Sequence, residues 1–188
     1  MAASATPSSA VGREWRTIRR NSVREPHRSP TLTVTLDPAT PADVPTILAM
    51  IGELAEFERL AHEVVATEAS VMAALFGPRP GAETLIARVD GAVAGFALFF
   101  HNFSTFLARS GLYIEDLYVR PTFRGKGVGR ALLTHIAGLA AARGCGRMEW
   151  SVLNWNRRAI GFYESLGAKP VNDLTTYRLD RAAIEAFQ

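Results

Sequence analysis

The run Arg124-Gly-Lys-Gly-Val-Gly129 constrains the fold of this 188-residue chain more than any other feature. A stretch rich in Tyr, Ile and Val, residues 112–119, precedes it and predicts a strand. A stripe of apolar residues follows and predicts a helix to about Arg143. Glycines let several backbone N–H groups converge, and the following helix adds unpaired N–H groups and the positive end of its dipole. The run therefore predicts a socket for a phosphate or diphosphate between a strand and a helix.

Two common phosphate-binding patterns do not fit this run. It lacks the Gly-Lys-Ser/Thr ending of a nucleotide P-loop. Leu132 stands where the dinucleotide fingerprint has Gly or Ala. Glu149 lies about 20 residues further on, where that fingerprint has its ribose ligand, but it falls inside a predicted strand rather than at its end. On the run alone, a flexible turn is the alternative to a phosphate socket.

Periodicity elsewhere predicts a folded domain of mixed α/β character over residues 31–188. Asp90-Gly91 between two apolar strands indicates a tight hairpin. Pro41 and Asp43 indicate the start of one helix, and Thr67 the N-cap of a second. We expect strands at 31–36, 84–89, 92–100, 112–119, 147–153 and 174–179, a loop at 101–110, and a last helix at 156–166.

Positive charge is concentrated at the N-terminus. Residues 1–30 hold six Arg and two acidic residues, whereas residues 31–188 hold 15 basic and 16 acidic residues. The sequence pI near 9.4 therefore belongs largely to a disordered basic arm, and it is no signal that the domain binds nucleic acid. The arm lacks the apolar core of a signal peptide. A plain tail, a mis-assigned start codon, an organelle transit peptide and a basic arm touching RNA or lipid are the alternatives.

The sequence offers no metal site, because its single cysteine, Cys145, and its four histidines lie without metal-ligand spacing. The one cysteine also excludes an intrachain disulfide. No apolar run approaches the roughly 20 residues of a membrane helix. Together with 48% hydrophobic and 21% charged residues, these observations predict a cytoplasmic globular domain with no membrane and no nucleic-acid partner.

The pattern Arg-x-x-Gly-x-Gly at 124–129 resembles the acetyl-CoA loop of the GNAT N-acetyltransferase superfamily. Residues 112–119 resemble the strand before that loop, and Trp155-Asn156 with residues 159–167 resemble the closing helix of the family. The order and spacing match over roughly residues 32–180. Within the superfamily, residues 53–58 (Glu-Leu-Ala-Glu-Phe-Glu), the Leu-Tyr-Ile-Glu-Asp segment and the Trp-Asn pair are most similar to diamine (spermidine/spermine) acetyltransferases. This resemblance implies a GNAT-like α+β fold, with a mostly antiparallel central sheet, a splayed strand pair and flanking helices.

The resemblance also implies a reaction, in which acetyl-CoA donates its acetyl group directly to a primary amine of a small cationic molecule. It implies no metal and a homodimer. The residues that the resemblance assigns to acetyl-CoA are Leu117, Tyr118, Val119, Arg124, Gly125, Lys126, Gly127, Val128, Gly129, Arg130, Asn156 and Tyr163.

Two catalytic roles follow from the same resemblance. Tyr163 is the candidate general acid for the departing thiolate; the alternative is a tyrosine at the core edge of an amphipathic helix. Glu115 is the candidate base; the alternative is a charge that attracts the amine without taking a proton. Because neighbouring side chains alternate along a strand, we expect only one of Glu115 and Asp116 to face the pocket. Asn156 either binds the pantetheine amide or caps its helix.

The acceptor side is assigned to Phe57, Glu58, Glu115 and Glu149, whose carboxylates favour a cation through charge complementarity. Phe57 stands where the diamine acetyltransferases have Tyr, which weakens the case for a true polyamine substrate. A different acceptor, the lysines or N-termini of proteins, is one alternative. Another is a non-catalytic module that binds acetyl-CoA, and a third is nucleic-acid binding through the N-terminal arm.

Overall fold

A single five-stranded sheet organises the part of the chain that our computed structural model describes, residues 32–187. The predicted disordered arm at residues 1–30 lies outside that part and stays a prediction. The strands are β1 (Val34–Pro38), β2 (Glu83–Val89), β3 (Ala92–Ser104), β4 (Arg109–Val119) and β5 (Met148–Trp150). The helices are α1 (Val44–Glu58), α2 (Glu68–Phe76), α3 (Val128–Ala142), α4 (Arg157–Glu164) and α5 (Arg181–Glu185).

The strands lie in sequence order, and only the last pair, β4 and β5, is parallel. This pair is short: Leu112–Ile114 face Met148–Trp150, whereas β4 continues to Val119. Beyond Ile114 the two strands therefore separate. The mostly antiparallel sheet and the splayed strand pair expected from the sequence are both present.

Helices cover both faces of the sheet, which explains why β2 is buried on both sides. On one face α3 places Leu132 and Ile136 against Leu85, Phe99 and Leu112. On the other face α1 and α2 pack against Ile86, Phe96 and Tyr118 through Ile47, Met50, Val71 and Leu75. Both apolar layers contact β4, one on each face of the sheet, so packing fixes the position of its free end.

Local turn and cap signals predicted their elements well. Asp90 and Gly91 both take positive φ angles, 49° and 85°, as a two-residue hairpin turn requires. Thr67 caps α2, and its side-chain oxygen accepts a hydrogen bond from the Ser70 N–H at 3.2 Å. Both elements are therefore confirmed.

Three expected segments differ. The predicted loop at 101–110 is mostly strand, because β3 and β4 extend into it and leave only a short turn at 105–108. The strand predicted at 147–153 shrinks to β5, since its partner diverges. Residues 174–179 are exposed and form no strand among the described residues, because a strand pattern does not supply a neighbouring strand to pair with.

Candidate active site

A groove of about 660 Å³ opens where β4 and β5 separate. The end of α1, the free end of β4, the glycine run and α4 form its walls. Its lining includes Phe57 and Glu58 from α1, residues 115–119 from β4, and Arg124, Gly125, Gly127, Val128, Gly129 and Arg130 from the glycine run and the start of α3, together with Asn156 and Tyr163 near α4. Most of the residues assigned from the sequence thus meet in one place.

The glycine run ends in an uncapped helix N-terminus. Gly125 and Gly127 have φ angles of 79° and 82°, a conformation that favours glycine. No side chain caps α3, and its first intrahelical hydrogen bond runs from the Ala131 N–H to the Gly127 carbonyl at 2.9 Å. The N–H groups of the first helical turn therefore lack helical partners and carry the positive end of the dipole. This geometry fits a diphosphate.

The basic side chains around this socket differ in their availability. Arg130 lines the groove and has no hydrogen-bond or ion-pair partner among residues 32–187. Lys126 is outside the lining, and its Nζ lies 5.2 Å from the Phe123 ring centroid. Arg158 and Arg178 also line the groove without a partner in the described chain. Sequence reasoning missed these two arginines, because no motif distinguishes them from surface charges.

The free end of β4 offers backbone groups to the groove. On one side Leu117, Tyr118 and Val119 pair with β3, and on the other they line the groove. The Arg120 N–H donates to the Ala94 carbonyl at 2.9 Å, so alternation along the strand turns the Val119 N–H towards the groove. Tyr118 is 5% exposed, and burial together with the charge of Glu53 raises the pKa of its phenol, so its backbone is the part that it offers to the groove.

An ion pair fixes this strand end to α1. The Arg120 guanidinium donates to both carboxylate oxygens of Glu53, with a shortest distance of 2.7 Å, and to the Val93 carbonyl at 3.2 Å. The hydrogen bond from Arg120 is the main reason that the pKa of Glu53 is lowered. The wall that carries Phe57 and Glu58 is therefore tied to β4.

Two neighbouring carboxylates line the groove because β4 contains a bulge. Ile114 pairs with Phe99 and Asp116 pairs with Leu98, so Glu115 has no partner on β3. A bulge interrupts the alternation of side chains, and both Glu115 and Asp116 line the groove. The expectation that only one of them would face the pocket is therefore wrong.

Asp116 is the residue whose chemistry the sequence did not reveal. It is half-buried, whereas Glu115 is exposed. Burial, together with the negative charges of Glu115 and Glu58, raises the pKa of Asp116 to about 6. The sequence signal for Asp116 is its position next to Glu115. Alternation of side chains along a strand, however, predicts that only one of these two residues faces the pocket.

Tyr163 lines the same groove as these acids. Its ring packs against Trp150 and Phe162, with centroids 5.1 and 5.4 Å away. Burial raises the pKa of Tyr163, and the charge of Glu58 adds to the effect, so the phenol keeps its proton at neutral pH. Burial also raises the pKa of Glu58. The groove therefore brings a proton donor close to a set of carboxylates.

Asn156 has the capping role that was one of its two alternatives. Its side-chain oxygen accepts a hydrogen bond from the Ala159 N–H at 3.2 Å at the start of α4. Asn156 also lines the groove, and its amide nitrogen makes no hydrogen bond to the described residues. Capping and ligand binding are thus compatible.

Glu149, which the sequence assigns to the acceptor side, does not line the groove. It pairs with Tyr113 across the β4–β5 ladder, before the point where the strands separate. Its Oε2 accepts a hydrogen bond from Asn102 at 3.0 Å and lies 2.8 Å from the Arg147 Nε. These contacts engage the Glu149 carboxylate with Asn102 and Arg147.

Comparison with known proteins identifies the fold and the chemistry. The sequence profile of the Acetyltransferase (GNAT) family matches residues 51–168. The chain belongs to this family. GNAT enzymes take their acetyl group from acetyl-CoA, so the chain is an acetyl-CoA-dependent N-acetyltransferase.

Relatives of this GNAT enzyme match over most of their length. An L-ornithine N5-acetyltransferase of Arabidopsis thaliana is 35% identical over 79% of this chain and 85% of its own. A thialysine N-epsilon-acetyltransferase of Bos taurus is 34% identical over 80% of this chain and 92% of its own. An integron cassette protein of V. cholerae shares the fold, with a TM-score of 0.69 and 24% identity over 82% of this chain and 96% of its own.

The residues of the GNAT groove fit acetyl-CoA without a metal ligand set. The uncapped start of α3 suits the diphosphate, and the free edge of β4 suits the amide groups of a pantetheine arm. Residues 32–187 contain no group of three or more His, Cys, Asp or Glu side chains that would hold a metal ion. Within the same range, no helix is long and apolar enough to cross a membrane.

Proposed function

We propose that this enzyme acetylates the primary amine of a small cationic acceptor, such as the side-chain amine of a basic amino acid or a polyamine. The observation that carries the proposal is the convergence of Glu58, Glu115 and Asp116 at the end of the groove that also holds Tyr163. None of these three acids has an ion-pair partner within residues 32–187. Relatives that act on L-ornithine and thialysine support an acceptor of this kind.

Binding of the donor is assigned to the glycine run and the free edge of β4. Backbone N–H groups at 125–129 would hold the diphosphate of acetyl-CoA, and Arg130 and Arg158 would add charge. Both arginines occupy the first turn of a helix, where the dipole disfavours a cation unless an anion is bound nearby. The backbone of residues 117–119 would hold the pantetheine arm.

Proton transfer is assigned to the acidic end. The amine arrives as an ammonium ion and must lose a proton before its nitrogen can attack. We assign that proton to Asp116, because its pKa of about 6 leaves it mostly ionised at pH 7 yet more basic than an ordinary carboxylate. Glu115, the base expected from the sequence, and Glu58 then act as partners for the remaining positive charge of the acceptor.

Completion of the transfer needs two more groups. Acetyl-CoA supplies a thioester, whose carbonyl carbon forms the new C–N bond as the C–S bond breaks. The Val119 N–H, which points into the groove, is our candidate donor to the carbonyl oxygen as negative charge develops there. Tyr163 gives its phenolic proton to the leaving thiolate and is reprotonated by the second proton that the nitrogen loses as the amide forms. Asp116 releases the first proton to solvent, so the net products are an acetylated amine, CoA thiol and a proton.

A panel assay tests the proposal. Acetyl-CoA is offered with L-ornithine, thialysine, lysine, spermidine and a short peptide, while released thiol and acetylated amine are both measured. We expect turnover with the small cations to exceed turnover with the peptide. A preference for the peptide would favour protein acetylation, and binding of acetyl-CoA without turnover of any amine would favour the non-catalytic module.

The cellular context is a separate part of the proposal. From the family resemblance we propose a cytoplasmic homodimer, which sedimentation of the purified protein tests for assembly and fractionation of cells tests for location. We also propose that residues 1–30 take no part in catalysis. Deleting them is expected to leave acetyl-CoA affinity unchanged, and a lost affinity would refute that assignment.

A further inference from the structure

Arg124 lines the groove, but its side chain is engaged with neighbouring protein groups. Its Nε donates to the Val119 carbonyl at 2.9 Å. Its Cζ lies 4.8 Å from the centroid of the Phe57 ring and 5.9 Å from that of Tyr118. A planar guanidinium that is bonded at its Nε and stacked on an aromatic ring has little freedom to turn towards a phosphate. Arg130, by contrast, has no such contacts among residues 32–187.

Phe57 in turn touches Trp155. Their ring centroids are 5.7 Å apart and the rings are tilted by 54°. Phe57 belongs to the last turn of α1, and Trp155 to the connection between β5 and α4, so this contact joins α1 to the segment that leads into α4. Phe57 is 39% exposed and Trp155 is 53% exposed. The pair is therefore a surface contact next to the groove, not part of the core.

The position of this pair relates it to the chemistry. Phe57 is adjacent in sequence to Glu58, whose charge affects the pKa of both Asp116 and Tyr163. Phe57 lines the groove and Trp155 precedes the lining residue Asn156, so their contact lies beside these groups. An aromatic cover there limits the entry of water, which would otherwise compete with the amine for the acetyl group.

We propose that Arg124 is a positioning residue for acetyl transfer and not a ligand of the cofactor phosphates, and that it seats the Phe57–Trp155 pair as a cover over the reaction centre. The inference rests on the proposed function of the groove. Through the Val119 carbonyl, Arg124 also fixes the peptide groups beside the candidate oxyanion donor. Loss of the cover admits water, whose oxygen attacks the acetyl carbon in place of the amine, so the products are acetate and CoA thiol.

The test separates positioning from phosphate binding with a fragment of the cofactor. 3′-Phosphoadenosine 5′-diphosphate carries the phosphates of CoA and lacks the pantetheine arm, so its Kd by calorimetry reports the socket alone. We expect Arg124→Met to change that Kd by less than about 2-fold and to lower kcat about 20-fold or more. Arg130→Met is expected to weaken fragment binding about 5-fold or more. A loss of fragment affinity in Arg124→Met as large as that in Arg130→Met would overturn the proposal.

Two further readouts distinguish a positioning role from general loss of structure. The ratio of released thiol to acetylated amine is expected to rise above one in Arg124→Met. Arg124→Lys keeps the charge and loses the planar stack and the Nε donor, so it is not expected to restore kcat. Rescue by Lys would overturn the proposal. Arg79→Met, an exposed position outside the groove, is the matched control and is expected to behave as wild type.

A second variant keeps the inference testable if Arg124→Met does not fold. Trp155→Leu alters an exposed side chain and is expected to raise the same thiol-to-product ratio. Because both changes disrupt one contact chain, the double variant should show little further loss. A wild-type ratio in Trp155→Leu would overturn the cover. If wild-type enzyme acetylates no amine, the proposed function fails, and the fragment comparison still decides whether Arg124 holds phosphate.

Discussion

The two halves of β4 differ in the contacts that nearby acidic side chains make. Beside the closed half, Arg109–Ile114, β5 completes the ladder and Glu149 is held by Asn102 and Arg147. In the open half, Glu115–Val119, no strand covers the second edge within residues 32–187, and the carboxylates of Glu115 and Asp116 have no basic partner in that range. The strand is continuous and lies between the same two apolar layers.

This difference shows that the site exists mainly because the pairing of β4 with β5 ends there, and less because of any single residue. Where β5 pairs with β4, backbone groups are satisfied and carboxylates are neutralised. Where it leaves, backbone N–H and C=O groups and unpaired acids remain next to the uncapped start of α3. The unpaired acids suit a cationic amine, and the uncapped helix start suits an anionic cofactor.

The largest contrast is expected between Asp116 in the open half and Glu149 beside the closed half. Asp116→Asn removes the proposed proton acceptor, so we expect kcat/KM to fall about 100-fold to 10,000-fold. Glu149→Gln, the matched carboxylate-to-amide change, is expected to stay within about 3-fold of wild type. In wild type, kcat/KM should rise with pH through the pKa of about 6 and level off above it. Equal losses in the two variants would remove the distinction between the halves.

Tyr163→Phe tests the opposite wall of the open half. The variant keeps the ring that packs on Trp150 and Phe162 and loses the phenolic proton. We expect kcat to fall about 100-fold, while the Kd for acetyl-CoA measured by calorimetry changes by less than about 3-fold. A parallel loss in rate and affinity would indicate that Tyr163 serves packing, the alternative that the sequence left open.

The glycine run extends the comparison to two glycines of the same region. Gly127 has a φ angle of 82°, so Gly127→Ala strains the backbone at the start of α3 by about 1–2 kcal/mol. Gly138 lies within α3, and a Cβ there meets nothing within 4 Å. We expect Gly127→Ala to weaken acetyl-CoA binding about 10-fold, because the converging N–H groups shift. Gly138→Ala should keep the affinity for acetyl-CoA and gain about 1 kcal/mol of stability. An unchanged affinity in Gly127→Ala would show that the glycine run does not bind acetyl-CoA.

The sequence predicted the local elements around the open half of β4 better than it predicted the point where β4 and β5 separate. Local signals identified the glycine run, the Asp90-Gly91 turn and the cap at Thr67, because each depends on a few adjacent residues. The bulge at Glu115 and the short β5 depend on pairing between strands distant in sequence, which no local pattern encodes. Glu149, which the sequence assigns to the acceptor side, therefore lies outside the groove lining, and Asp116, which has no role assigned from the sequence, is part of it. The contacts of Arg124 with Val119 and Phe57 are tertiary for the same reason.

The last comparison concerns stability rather than activity, and the change expected for Asp116→Asn has the opposite sign to its loss of activity. The pKa of Asp116 is about 6 in the folded enzyme, against a usual value near 3.8. Between these values the folded state binds more protons than the unfolded state, so the free energy of unfolding falls as pH rises from about 4 to about 6. Asp116→Asn removes this cost, and we expect the variant to be more stable than wild type by about 1–3 kcal/mol at pH 7 and equally stable at about pH 4.

Urea unfolding at several pH values measures this effect, and Glu53 is the matched control with the reverse sign. Its pKa is lowered by the hydrogen bond from Arg120, so its contribution is present at neutral pH and is lost as pH falls through the folded pKa. Glu53→Gln should therefore destabilise at pH 7 and lose its effect in acid. If Asp116→Asn proved less stable than wild type at pH 7, its carboxylate would hold the fold together as Glu53 does. The unpaired charge that defines the open half would then be a structural contact, and the base would have to be sought at Glu115.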